Sequence, residues 1–98
     1  MTLHVINKTP SNLPLYHRML NGLSAGDGIL LIEDAVYAGL SAHQALFEGL
    51  PIDIKLGALE ADIQARGLTH RLSSTFTLVN DKTFVQLSCE HDKVVSWY

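Results

Sequence analysis

One thiol, two acidic pairs and five histidines are the residues of this sequence whose types could do chemistry. Cys89 stands alone, so neither an internal disulfide nor a Cys-x-x-Cys motif can form, and a reducing compartment is expected. It falls near the end of a predicted helix, where the negative end of the dipole weakens a thiol as a nucleophile, although His91 partly offsets this. The sequence therefore predicts a small buried residue packed beside Phe84 and Val85, with a reactive thiol as the alternative. The acids Glu33-Asp34, and Glu60 with Asp62, follow predicted strands. Paired carboxylates run general acid–base chemistry when their environments split their pKa values. Their position at helix starts fits capping and dipole complement better.

The histidines His4, His17, His43, His70 and His91 lack the i,i+4 or short-loop spacing of a zinc site. His4 reads as a strand residue and the rest as surface or loop residues. No metal and no cofactor are expected. Gly22, Gly26 and Gly28 cluster between a helix and the next strand, where turn formation explains them, and no GxGxxG, Walker or GxSxG pattern occurs. A phosphate held by Thr9, Ser11 and Asn12 at a helix start is the weaker alternative.

These residues must be positioned by alternating strands and helices. Leu3 to Ile6 is a short β-type run, and Tyr16, Met19, Leu20 and Leu23 follow at helical spacing with Pro14 in the first turn. Ile29-Leu30-Leu31-Ile32 reads as a strand buried on both faces, the mark of a parallel sheet. Ala35 to Leu50 predicts one helix and a looser helical turn, broken near Gly39 and Ser41. Ile52 to Leu56 alternates as a strand. Glu60 to Arg66 predicts a helix closed by Gly67. Thr75 to Val79 predicts a strand, Asn80 or Asp81 caps a last helix carrying Phe84 and Leu87, and Val94 to Trp97 closes as a fifth strand. The order argues for a single α/β domain over residues 1–98, with a mainly parallel sheet of about five strands between helices. The broken helix after the second strand would leave one face thinly covered.

The 98 residues are 47% hydrophobic and only 17% charged, against roughly 25% charged in an average domain, so apolar surface is left over for protein partners or a second copy. The net charge is −3 and no two basic residues are adjacent, which disfavours direct nucleic-acid binding. No leader pattern opens the sequence and no apolar run approaches the length of a bilayer span, so no membrane association and a cytoplasmic location are expected.

Four segments together carry a resemblance: Ile29-Leu30-Leu31-Ile32-Glu33-Asp34-Ala35-Val36, Ala58-Leu59-Glu60-Ala61-Asp62-Ile63-Gln64-Ala65-Arg66-Gly67-Leu68, Asp81-Lys82-Thr83-Phe84-Val85-Gln86-Leu87, and the terminal Trp97. In this order they resemble the TusB/DsrH family of small sulfur-relay subunits over nearly the whole chain. The resemblance implies a three-layer α/β/α domain that assembles with two related subunits, TusC and TusD. In that family the complex receives persulfide sulfur from TusA and passes it to TusE, toward the 2-thiouridine of tRNA wobble positions. DsrEFH relatives use the same kind of complex in sulfur oxidation. The family's relay cysteine belongs to the TusD/DsrE-type subunit. Some DsrH chains carry an early cysteine of their own, but the stretch around Met19-Leu20-Asn21 has none. The resemblance thus implies an accessory subunit of the tRNA-thiolation type. Asp34, Asp62, Arg66, Gly67 and Phe84 are its fold- or interface-forming motif residues. A DsrH-type subunit, or Cys89 as a persulfide carrier in its own right, remains open.

Overall fold

The run Ile29 to Leu31 has no polar side to offer water, and the fold gives it none. In the computed structural model, which describes all 98 residues, it forms all but the first residue of β2 (Gly28–Leu31), the central strand of the sheet, with every residue buried. The strands β1 (Thr2–Ile6), β3 (Lys55–Leu59), β4 (Thr77–Val79) and β5 (Lys93–Trp97) complete a sheet of order β4-β3-β2-β1-β5, parallel throughout.

That order decides which face each crossover covers. From β1 to β4 the chain always steps to the next place on the same side. Right-handed crossovers then put α1 (Leu13–Asn21), the segment between β2 and β3, and α2 (Glu60–Ala65) on one face. Helix α3 (Asp81–Glu90) carries the chain back across the sheet to β5 and lies on the other face. The core divides accordingly. Ile6, Ile29, Leu31 and Ala58 pack with Tyr16 and Met19 of α1 and Ile63 of α2. Leu3, Val5, Leu30, Ile32 and Val79 pack with Phe84 and Leu87 of α3 alone. One face is indeed thinly covered, but it is the face of α3, not the face of the broken helix.

The segment after β2 is two 3₁₀ helices, Glu33–Gly39 and Ser41–Phe47, separated by the extended Leu40. Gly39 is buried there with Leu72 close against it, and a Cβ would stand 2.7 Å from the Leu72 Cδ1. Phe47 and Phe76 meet edge to face with ring centroids 5.1 Å apart, which packs the second 3₁₀ helix down. Tyr16 fixes α1 by donating its hydroxyl to the Lys8 carbonyl at 2.7 Å, and burial pushes its phenol pKa up.

The first, second and fifth strands begin one residue earlier than expected, and the second also ends one residue earlier, whereas the third and fourth strands differ more. The third strand is Lys55–Leu59, not Ile52 to Leu56, because Asp53 takes φ +63° and turns the chain before pairing begins. The fourth is Thr77–Val79 only. Gly28 is not a turn residue. It lies in β2, where the imidazole of His91 rests against its backbone.

Candidate functional site

Asp34, Asp62 and Arg66 of the motif converge at the carboxyl end of the sheet, where ligands of open α/β domains usually bind, whereas Phe84 packs on the other face. At the end of β2, Glu33 adopts φ +50°, a left-handed conformation that a non-glycine residue takes at a cost. This turn aims its backbone N–H at Asp62 in α2, which accepts it at 2.7 Å. Arg66, at the end of the same helix, donates Nε and Nη2 to the Asp34 Oδ1 at 3.2 and 2.9 Å. Its Nη1 reaches the Asp62 carbonyl at 3.2 Å and lies 3.6 Å from the Asp62 carboxylate. The Asp34 carboxylate raises the guanidinium pKa further against the opposing effect of burial, so this cation is permanent. Asn7, just after β1, donates its amide to the Glu33 carboxylate at 3.3 Å. The loops leaving β1, β2 and β3 are thereby fastened to one another.

Gly67 sets the position of Arg66. It takes φ +66°, its N–H bonds the Gln64 carbonyl, and the Leu68 N–H bonds the Ile63 carbonyl, each at 3.0 Å. This is a Schellman close, with buried Leu68 and Ile63 supplying its apolar contact. Asp62 and Arg66 are four apart on one helix and lie in i,i+4 contact, but the shortest bond of Arg66 goes to Asp34, thirty-two positions away. Side-chain capping by the acids is not observed. Neither α2 nor the first 3₁₀ helix has a side-chain cap, and Asp34 and Asp62 act as ties between elements. Asn80 does cap α3, accepting the Thr83 N–H at 2.8 Å.

No nucleophile joins this network. Cys89 lies in the last turn of α3, which runs from the carboxyl end of β4 toward the amino end of β5. It is exposed, so the expectation of a packed, buried thiol is wrong. At about 100° per residue, Phe84, Leu87 and His91 share one stripe toward the sheet, and Cys89 falls about 200° around from Leu87. Phe84 is partly buried against the second core cluster, whereas Val85 is exposed.

A second polar group was not legible in the sequence. Asp27, buried just before β2, accepts the Thr2 N–H at 2.9 Å, the Ser24 N–H at 3.0 Å and the His4 Nε2 at 3.1 Å. Trp97 donates its indole N–H to the His4 Nδ1 at 3.0 Å, which leaves the imidazole proton on Nε2 to serve Asp27. Burial pushes the Asp27 carboxyl up, but the two backbone N–H groups and His4 outweigh it and hold the pKa below the usual carboxylate range. The chain of bonds ends in a donor, so it has no acceptor with which to activate a nucleophile. It ties β5 to β1 and to the turn before β2. The only forward signal was Trp97, which the family resemblance had singled out. His91 also departs from expectation: it is buried, not a surface residue.

No three of the His, Cys, Asp and Glu residues converge as metal ligands, and no helix is long and apolar enough to cross a membrane. Fold and site together define a small parallel α/β domain whose carboxyl edge is braced by acid–arginine ties. The YchN protein of E. coli has a solved structure of the same fold, with a TM-score of 0.71 over 97% of each chain at 17% identity. The family follows from sequence. Residues 8–94 match the family described as DsrH like protein. The chain is 38% identical to Protein TusB of Serratia proteamaculans and 34% identical to Protein TusB of Pectobacterium carotovorum, in both cases over 97% of this chain and 99% of the relative. Protein TusB of Escherichia coli is 35% identical over the same shares. The chain belongs to the TusB/DsrH family of sulfur-relay subunits.

Proposed function

We propose that this chain is an accessory subunit of a sulfur-relay complex that passes persulfide sulfur between proteins toward 2-thiouridine at tRNA wobble positions. It works in the cytoplasm with TusC- and TusD-like subunits. The observation that carries this reading is the near full-length similarity to TusB proteins, joined to a carboxyl edge braced by Asp34, Asp62 and Arg66 with no thiol in it. Exposed Val85 of α3 and Val94 of β5 supply apolar surface suited to protein partners. The relay cysteine then belongs to another subunit, and this chain shapes and stabilises the assembly around it.

Co-expression with the two neighbouring subunits, followed by affinity capture and sizing, tests the reading. A stable complex containing both homologues is expected. A strictly monomeric chain that captures neither would overturn it. Capture of sulfite-reductase partners in place of a tRNA-modifying acceptor would assign the chain to the DsrH-type sulfur-oxidation relay.

The exposure of Cys89 favours one second reading, in which this chain carries sulfur itself. Its thiolate would attack the outer sulfur of a donor persulfide, forming a new S–S bond while the donor leaves as a thiolate. Intact-mass measurement after exposure to a persulfide donor would then show a gain of one sulfur, abolished in Cys89→Ser. An unmodified chain rejects this second reading.

A further inference from the structure

The bond between the first and last strands is one that a single proton would abolish. His4 is buried in β1, with 5% of the residue exposed, and its two ring nitrogens meet opposite demands. Nε2 stands 3.1 Å from the Asp27 carboxylate and must donate, whereas Nδ1 accepts the Trp97 indole N–H at 3.0 Å. Only the neutral imidazole with its proton on Nε2 serves both partners. A second proton lands on Nδ1, the one ring nitrogen free to take it. Two N–H donors then face each other across 3.0 Å, and the bond to Trp97 is lost.

The surroundings decide which partner yields. His4 is held by a strand paired on both sides, opposite Ile29 of β2 and Val95 of β5. Asp27 is buried and fixed by the Thr2 and Ser24 N–H groups, and a carboxylate bonds an imidazolium more strongly than a neutral ring. Trp97 is the last residue of β5, an edge strand paired with β1 alone, and its ring is partly exposed beside the imidazole. The only ion pair of His4 is with Asp27. From α1 the same core receives Tyr16, a neutral phenol whose hydroxyl is engaged by the Lys8 carbonyl, while His17 and Arg18 face solvent. On β5, Lys93 is exposed, and Asp92 before it pairs with the Met1 amine.

We propose that His4 is a proton-operated latch on the carboxyl end of β5: the neutral imidazole holds the Trp97 indole in place, and protonation of Nδ1 releases it while tightening His4 on Asp27. The backbone ladder of β1 and β5 does not pass through the imidazole, so the sheet persists while the indole leaves. Asp27 is held below the usual carboxylate range, so it stays ionised as His4 charges.

Trp97 is the only tryptophan, so its indole N–H resonance and its fluorescence report on this bond alone. The full chain, with its histidine rings followed by NMR, is acidified from about pH 8 to about pH 5, the interval in which imidazoles commonly titrate. As His4 takes up its proton, the indole N–H should lose its hydrogen-bonded shift and the emission should move to longer wavelength, with far-UV circular dichroism unchanged. Both changes should share the midpoint of the His4 ring signals and not that of another histidine. In His4→Gln, whose amide can accept from Trp97 and donate to Asp27 but takes up no proton, both should vanish. The unaltered chain decides the matter even if that variant does not fold. Trp97 signals that stay fixed while His4 charges, that follow another histidine or that survive in His4→Gln would each overturn the proposal, as would a His4 that stays neutral until the chain unfolds.

Discussion

The two faces of the sheet are built to different standards. One carries α1, two 3₁₀ helices and α2, and packs fourteen buried residues into one cluster. The other carries α3 alone, with five buried residues and a cleft beside them. Both faces receive alternate residues of the same strands, so strand composition alone does not explain the difference. Connectivity does: three successive steps in one direction load one side, and a single return crossover must cover the whole of the other. A ten-residue helix is about 15 Å long, too short to seal a five-stranded sheet. The closed face carries the larger share of the core and the open face the smaller.

This contrast can be broken most directly by truncating each face in turn. Leu31→Ala, in the fully buried centre of the closed face, should cost about 3 kcal/mol or more in chemical denaturation. Phe84→Ala, half-buried under α3, should cost about 1–2 kcal/mol. Equal losses would mean that the two faces contribute alike. At the carboxyl edge, Arg66→Ala should cost about 1 kcal/mol, because the guanidinium is only partly buried and Asp34 is exposed to screening. The same loss should shrink with added salt.

The acid limb of stability sharpens the comparison next. Asp27 on the closed face has a folded pKa below its unfolded value, so the unfolded state takes up its proton at higher pH. Its stabilisation is complete above the ordinary carboxylate range and is lost as pH falls toward the lower folded value. Asp27→Asn should therefore lower stability at neutral pH and flatten this limb in pH-dependent denaturation. Asp92 is shifted in the same direction by the N-terminal amine, but it is fully exposed, so its replacement should have a smaller effect that salt removes. The smallest effect belongs to Cys89→Ser, which should change stability by less than about 0.5 kcal/mol. Native Cys89 should also be alkylated by iodoacetamide without prior unfolding of the chain.

Much of the fold was legible because local rules and tertiary demands agreed. Gly67 closes α2 where the helix pattern ends, Asn80 caps α3 through its own side chain, and the apolar run of β2 has two faces to bury. The family motif was legible too, and Asp34, Asp62 and Arg66 do meet in space. What escaped had no local signature. Leu56-Gly57-Ala58-Leu59 has weak strand propensity, and its pairing depends on Val79 approaching the Gly57 backbone. The alternating Ile52 to Leu56 looked stronger, yet Asp53 turns the chain there. The 3₁₀ segment is fixed by the tight packing of Gly39 against Leu72. The Asp27–His4–Trp97 chain joins residues from three distant segments, and no spacing rule reports such a contact. Cys89 was misplaced for a simpler reason: its hydrophobicity suggested burial, while the helical phase of Phe84, Leu87 and His91 turned it outward.

We propose that this chain supports sulfur transfer without carrying the sulfur. The most direct test reconstitutes the complex with its TusC- and TusD-like partners, once with the natural chain and once with Cys89→Ser, and follows labelled persulfide sulfur by mass spectrometry. Equal transfer to the acceptor is expected in both, with the label on a partner's cysteine. Label on Cys89, together with loss of transfer in Cys89→Ser, would contradict it.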